Sequence, residues 1–171
     1  WISNGYEPDS TALSHSNKSI SQLILNNIES ISNKNYDLIT LFHVLEHVHN
    51  LNDTLELLIH QLKPNGVLLL ALPNHKSFDA QYYKQHWAGY DVPRHLYHFD
   101  RESVNFLAQQ HGLKIDKIEP MPFDSFYVSM LSEKYVGHYM TLLKGFLKGL
   151  KSNRKATATG EYSSLIYILR K

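Results

Sequence analysis

The chain has no cysteine, which excludes disulfide staples, thiolate nucleophiles and cysteine-built zinc sites. A chain without disulfides is compatible with the cytoplasm, and that is the compartment expected. No apolar run approaches the roughly 20 residues that cross a bilayer. An excess of either charge is also missing, since 17 Lys and Arg against 16 Asp and Glu leave +1. Composition therefore gives no reason to expect a nucleic-acid partner. Glycine is sparse, eight in 171 residues, and nowhere does it form a G-x-G-x-G-like run. What remains is ordinary for one globular domain: 43% hydrophobic and 19% charged residues. The eleven histidines exceed what this length suggests, and several of them cluster.

The chain is organised around the stretch from Tyr36 to Asn74. Tyr36 to Phe42 is a short, β-prone apolar run that carries an acid, Asp37, at its start. His43-Val44-Leu45-Glu46-His47-Val48 follows at once. Asn52 and Asp53 offer an N-cap, with Glu56 placed as in a capping box. Leu55, Leu58, Ile59 and Leu62 then fall on one helical face. Lys63-Pro64-Asn65-Gly66 stops that helix and turns the chain. Val67 to Leu72 is six apolar residues without alternation, the signature of a strand buried on both faces. Strand, helix and buried strand make a βαβ unit, so the fold class expected is α/β with a mostly parallel sheet.

On either side of this unit the signals are shorter. Residues 1–8 read as a strand ending at Glu7, and Asp9 or Ser10 can cap a brief helix. Ile20 to Leu25 is ambiguous between helix and strand, and its later part is taken as strand. Residues 73–99 have no clean period but are rich in aromatics and histidine. Asp100 caps a helix whose apolar face is Val104, Leu107 and Ala108, ended by His111-Gly112. Leu113 to Ile118 and Ser163 to Leu169 read as strands. Residues 123–155 form a helical insertion before the last strand. Its apolar positions run from Tyr135 to Leu150, with lysines at the polar edge. A helix of that kind packs on the domain, lies on a membrane surface or covers a substrate. Gly145 and Gly149 match G-x-x-x-G, but the lysines and short length argue against a transmembrane pair. Residues 155–160 read as a mobile link.

Residues 36–74, "YDLITLFHVLEHV…LKPNGVLLLALPN", resemble the fourth and fifth strands of class I S-adenosylmethionine-dependent methyltransferases. Tyr6-Glu7-Pro8-Asp9 is similar to the end of that family's second strand, and Val92 to Leu113 to the segment after its fifth. The resemblance implies a single Rossmann-like methyltransferase sheet over residues 1–171, mostly parallel with a final antiparallel strand. It also implies S-adenosylmethionine as cofactor and methyl transfer to a small-molecule, lipid-precursor or sugar acceptor. The family's first strand and glycine-rich loop have no counterpart here, so an N-terminally incomplete domain is expected. By itself such a piece would be inactive and bind the cofactor weakly. The family's strand order, 3-2-1-4-5-7-6, would leave Tyr36–Phe42 without one neighbour. The chain would then pair its second family strand directly with the fourth, borrow a strand from another copy in a homodimer, or have residues upstream.

By the same resemblance, Glu7 holds the cofactor ribose, Asn27 and Ile28 flank the adenine, and Thr40, Leu41, Phe42 and His43 line the methionine half. Histidine titrates near neutrality, which makes His95, His47 and His43 the candidate bases, His95 first. Trp87, Tyr90, Arg94 and His98 are candidate substrate residues, Arg94 for an anionic group. No metal is expected. Two rivals stay open. One is a non-catalytic binding fragment. The other is a zinc hydrolase, because His43-x-x-Glu46-His47 matches the inverted zinc-peptidase motif, with Glu119 or Glu133 nominated as third ligand. A softer version is a divalent ion held by Glu46 and His47.

Overall fold

The computed structural model describes residues 2–7, 9–15, 24–25 and 35–171. Strands β1 (Gly5–Tyr6) and β2 (Ile24–Leu25) pair in parallel as a separate two-stranded sheet, with the short helix α1 (Ser10–Ser14) between them. The Asp9 carboxylate accepts from the Thr11 N–H at 2.7 Å, the side-chain cap expected there. The main sheet has four strands in the order β3 (Tyr36–Phe42), β4 (Leu62–Pro73), β6 (Ser164–Arg170), β5 (Lys114–Pro120). β3 is parallel to β4, whereas β6 is antiparallel to both β4 and β5. This is the sheet expected from the resemblance, down to the final antiparallel strand lying between its two neighbours.

Among the described residues β3 is paired along one edge only, and no direct pairing of β1 with β3 is formed. With that side open, Leu38 and Phe42 stand exposed and only Leu41 of this strand is fully buried. β4 behaves as its unbroken apolar run demands: Leu68, Leu70, Ala71 and Leu72 are all buried.

Helix α2 (Leu51–Gln61) connects β3 to β4. It starts earlier than the capping-box reading placed it, after Asn50, and has no side-chain cap. Asn52 is instead inside the helix, in contact with His111 Nε2 at 3.0 Å. Lys63 to Gly66 is absorbed into the irregular start of β4, where the register against β3 shifts. Helix α3 (Phe78–Tyr83) and two short 3-10 turns (Lys84–His86, Ala88–Tyr90) lie in the aromatic segment. α4 (Arg101–Gln110) begins at Asp100, where Asp100 and Ser103 cap each other reciprocally. Its Val104, Leu107 and Ala108 join Leu55, Leu58 and the β4 and β6 leucines in the main core.

The insertion is two helices, α5 (Asp124–Val136) and α6 (Thr141–Thr159), so residues expected to be a mobile link are helical to Thr159. Their packing is carried by small residues. α6 buries Gly145, Gly149, Ser152 and Ala156, while α5 buries Ser125, Ser129 and Ser132. A Cβ at Gly145 would lie 2.5 Å from the Met130 Cα, and one at Gly149 would lie 2.8 Å from the Phe126 Cα. The G-x-x-x-G spacing thus serves a close helix approach within the chain, and the leucines face outward.

A second, smaller core forms around Trp87, Tyr83 and Ala80. Its centre is the fully buried Asp79 carboxylate, which accepts from Trp87 Nε1 at 2.8 Å, Ser152 Oγ at 2.6 Å and Ser163 Oγ at 2.7 Å. One acid therefore ties together α3, the aromatic segment, α6 and the entry to β6.

Candidate active site

Parallel strands present ligand sites outside their carboxyl ends, where loops gather. At the carboxyl end of β3 the chain turns sharply, with His43 in the left-handed region at φ 51° and its N–H donated to the Ala71 carbonyl at 3.0 Å. A single 3-10 turn, Leu45–His47, follows. It carries Glu46 inward and leaves His47 at the surface.

His43 is held from two sides. Its Nε2 meets Asp124 Oδ2, at the start of α5, at 3.0 Å, and its Nδ1 lies 3.4 Å from Glu46 Oε1. The second contact is close enough for charge attraction but is not aligned as a hydrogen bond, since neither Glu46 oxygen has a hydrogen-bond partner. The Asp124 hydrogen bond, then Glu46, raise the His43 pKa to about 9 against the opposing effect of burial. Burial works to raise the Asp124 carboxyl, but the hydrogen bond with His43, the Ser164 hydroxyl and the His43 charge together outweigh it and leave the carboxyl below its ordinary range. His43 is thus a cation at neutral pH and has no vacancy for a proton.

His95 is the opposite case. It sits in the loop that follows the Ala88–Tyr90 turn, where the Leu96 N–H donates to the Glu46 carbonyl at 2.8 Å and fastens loop to turn. His95 Nδ1 lies 3.0 Å from the Gly89 carbonyl, and His47 Nδ1 lies 3.1 Å from the Arg94 carbonyl. A carbonyl only accepts, so both Nδ1 atoms carry a hydrogen, which leaves Nε2 of each ring as the remaining site for a proton or a ligand. Burial lowers the His95 pKa, which keeps this ring neutral. Its Nε2 faces Glu46 Oε1 and Asp91 Oδ2, each at 4.0 Å. The cluster therefore sets a ring nitrogen, His95 Nε2, opposite a fully buried carboxylate that faces the His43 cation but accepts no aligned hydrogen bond. A group that brings a proton or a positive charge is what the gap between them fits.

The other sequence candidates lie in several different places. Thr40 and Phe42 are exposed at the end of β3, with Leu41 buried behind them. Glu7 lies just past β1, where one of its oxygens accepts from the Asp9 N–H at 2.9 Å. Asn27 and Ile28 lie outside the described residues. Arg94 is bound to Asp91 at 2.6 Å and projects into solvent. Tyr90 packs edge-on against both Trp87 and His98, and His98 Nε2 contacts the Tyr90 carbonyl at 3.0 Å. Trp87, at 2% exposure, belongs to the Asp79 core and spends its N–H there. The nominated third zinc ligands are engaged elsewhere: Glu133 with Tyr83 and His138, and Glu119 with Lys117. Sequence reasoning did not single out Asp124 or Asp91, because both approach from segments distant from, or irregular beside, the histidines they serve.

A family model described as a methyltransferase domain matches residues 4–118, which contain β1 through β4 and every candidate methyltransferase-site residue except Asp124. The chain belongs to the methyltransferase-domain family. Solved structures with the same fold include a cyclopropane synthase of Mycobacterium tuberculosis, at 16% identity and TM-score 0.59 over 98% of this chain and 69% of that one. A SAM-dependent methyltransferase of Archaeoglobus fulgidus matches at 16% identity and TM-score 0.60, over 98% and 75%. An O-methyltransferase from a trans-AT PKS multienzyme of Brevibacillus brevis, in complex with S-adenosyl-L-homocysteine, matches at 17% and 0.57, over 98% and 58%. No curated protein sequence matches the chain. As a methyltransferase domain the chain is a transferase, and among its described residues no helix is long and apolar enough to cross a membrane.

Proposed function

We propose that this methyltransferase domain passes a methyl group from S-adenosylmethionine to a hydroxyl or amine of a small-molecule, lipid-precursor or sugar acceptor, with His95 receiving the proton. The observation that carries this reading is the buried pair of acceptors, His95 Nε2 and Glu46 Oε1, 4.0 Å apart with neither Glu46 oxygen partnered. An O–H or N–H donor on the acceptor satisfies that geometry, and a carbon nucleophile does not.

The residues present also fit the cofactor. Glu7 stands at the carboxyl end of β1 with one oxygen engaged by Asp9, and its second oxygen suits a ribose hydroxyl. Thr40 and Phe42 offer an exposed ledge at the end of β3. S-adenosylmethionine supplies an electrophilic methyl when bound. His43, held as a cation between Asp124 and Glu46, fixes the turn that carries Glu46 and His47 and takes no proton itself. His95 is neutral, its Nδ1–H fixed on the Gly89 carbonyl, so its Nε2 points a lone pair at the place where the acceptor's proton leaves.

Glu7→Ala, in the protein that carries this chain, is expected to weaken S-adenosylmethionine binding by about 1.5–3 kcal/mol, the scale of hydrogen bonds to a charged group. Calorimetric titration of parent and variant reads this directly. Unchanged affinity removes Glu7 from the cofactor site, and no binding by the parent removes the proposed reaction.

A second reading rests on Glu46, His47 and His95 together, whose ligand atoms all lie within 4.8 Å of one another. With both Nδ1–H groups donated to backbone carbonyls, the two Nε2 atoms and the Glu46 carboxylate, which also faces His43, form a two-histidine, one-carboxylate donor set. A divalent cation there would hold the acceptor's oxygen in place of the bare hydrogen bond. Elemental analysis separates the readings. One equivalent of metal per chain, lost in His47→Ala, establishes the cation; a metal-free chain that transfers methyl in the presence of a chelator establishes direct proton transfer to His95.

A further inference from the structure

Helix α6 turns its small residues inward, which leaves a row of large apolar side chains in water. Leu142, Leu143, Phe146, Leu147 and Leu150 are each between 51% and 72% exposed, and Tyr139, just before the helix, is 91% exposed. On α5 and in the segment before it, Tyr127 and Phe123 are exposed in the same way. A soluble domain seldom leaves so many large apolar groups together uncovered, so the patch marks a docking surface.

The charge beside the patch identifies the occupant. From Lys134 to Gly160 there are six cations, Lys134, Lys144, Lys148, Lys151, Arg154 and Lys155, and no acid. At 100° per residue, Lys144, Lys148, Lys151 and Lys155 form a stripe along α6 next to the leucine row. Three of them stand over aromatic rings of α3: Lys148 Nζ over Tyr82 at 3.7 Å, and Lys151 and Lys155 over Phe78 at 5.4 and 4.3 Å. These contacts lay the cations along one side of the helix and engage no acid. An apolar row flanked by a single-sign basic stripe fits an anionic lipid surface, with the leucines among the acyl chains and the lysines at the headgroups. A second copy of this chain would bring the same basic stripe against itself, which like-charge repulsion opposes.

We infer that α6 lies flat on an anionic membrane surface, with Leu142, Leu143, Phe146, Leu147 and Leu150 as the inserted face. The helix is long enough to cover about 28 Å at 1.5 Å per residue, and it lies on the bilayer without crossing it. The surface is linked to the candidate active site, because α5, against which α6 packs, begins at Asp124, the partner of His43. The inference rests on the exposed face and its charge, and it stands whether or not the domain transfers methyl groups.

Co-sedimentation of the protein with phosphatidylcholine vesicles, with and without phosphatidylglycerol, tests this. Binding is expected to the anionic vesicles and to weaken as salt is raised. Leu143→Ser with Leu147→Ser is expected to lower the vesicle partition coefficient at least about tenfold. Lys144→Gln with Arg154→Gln is expected to lower it by about fivefold per charge and to spare the weak binding to neutral vesicles. All four side chains are exposed or peripheral to the α5 contact, and circular dichroism checks that each variant stays folded. Absence of binding to anionic vesicles, or equal binding by parent and Leu143→Ser, Leu147→Ser protein, overturns the inference. So does a dimer in sedimentation equilibrium that the leucine variant abolishes, since it would assign the face to a second copy.

Discussion

His95→Ala is expected to lower turnover by about 10²–10⁴-fold, the usual contribution of a positioned proton acceptor, while S-adenosylmethionine affinity changes little. The asymmetry follows from where the ring sits. Its Nε2 faces Glu46 and Asp91 at 4.0 Å, and its Nδ1 is fixed on the Gly89 carbonyl. Nothing in that arrangement reaches the ledge formed by Thr40 and Phe42. Because burial lowers the His95 pKa, the neutral, proton-accepting form persists below the ordinary histidine value of about 6.5. The rate in the parent is therefore expected to be flat through neutrality and to fall only as pH drops below that value. His95→Gln keeps a hydrogen-bonding side chain and cannot take up the proton, so it is expected to lose turnover as alanine does. Stopped assays across pH, paired with calorimetry of the cofactor, separate this from a structural role. Parallel losses of turnover and cofactor affinity in both variants would make His95 a packing residue.

Asp79→Ala is expected to cost about 3–5 kcal/mol of folding stability, because three buried donors lose the acceptor they share. Asp79 is fully buried and accepts three hydrogen bonds, from Trp87, Ser152 and Ser163. Alanine would leave three donors facing a cavity, each costing about 1–3 kcal/mol when unsatisfied. Against a typical total of about 5–15 kcal/mol, that is enough to unfold much of the chain. Asp79→Asn keeps one acceptor oxygen but turns an amide donor toward other donors, so an intermediate loss is expected. Urea unfolding of the three proteins measures this. A loss under about 1 kcal/mol for alanine would mean that water replaces the carboxylate without penalty.

The parts of the fold that were legible in the sequence are those set by local periodicity. Val67–Leu72, the Asp100 cap and the face of Val104, Leu107 and Ala108 are patterns within one element, and each holds in the structure. The orientation of α6 stayed open in the sequence for a physical reason. Leucines at helical spacing ordinarily face a core, but the small residues Gly145, Gly149, Ser152 and Ala156 also recur at helical spacing. Close approach to α5 is open only to them. That second row was the available signal. The Asp79 network joins positions 79, 87, 152 and 163, and no spacing rule connects residues so far apart. In the site, the neighbours His43, Glu46 and His47 could be seen as a motif. The polarity of its histidines could not, because Asp124 makes one a cation while burial, against the opposing pull of the Gly89 carbonyl, keeps another neutral.

The position of β6 has a bearing on how the chain folds during synthesis. β6 is the last of the four main strands to be made, yet it lies between β4 and β5 and supplies each with a whole edge of hydrogen bonds. Everything from β5 through α6 leaves the ribosome before that central place in the sheet can be filled. At about 5–20 residues per second, β4 waits roughly 5–20 s for its antiparallel neighbour. During that interval Leu68, Leu70 and Leu72 border an unpaired edge, the arrangement most open to aggregation. Chaperone capture of nascent chains should therefore be concentrated between the emergence of Pro73 and that of Arg170, and release should coincide with closure of the sheet.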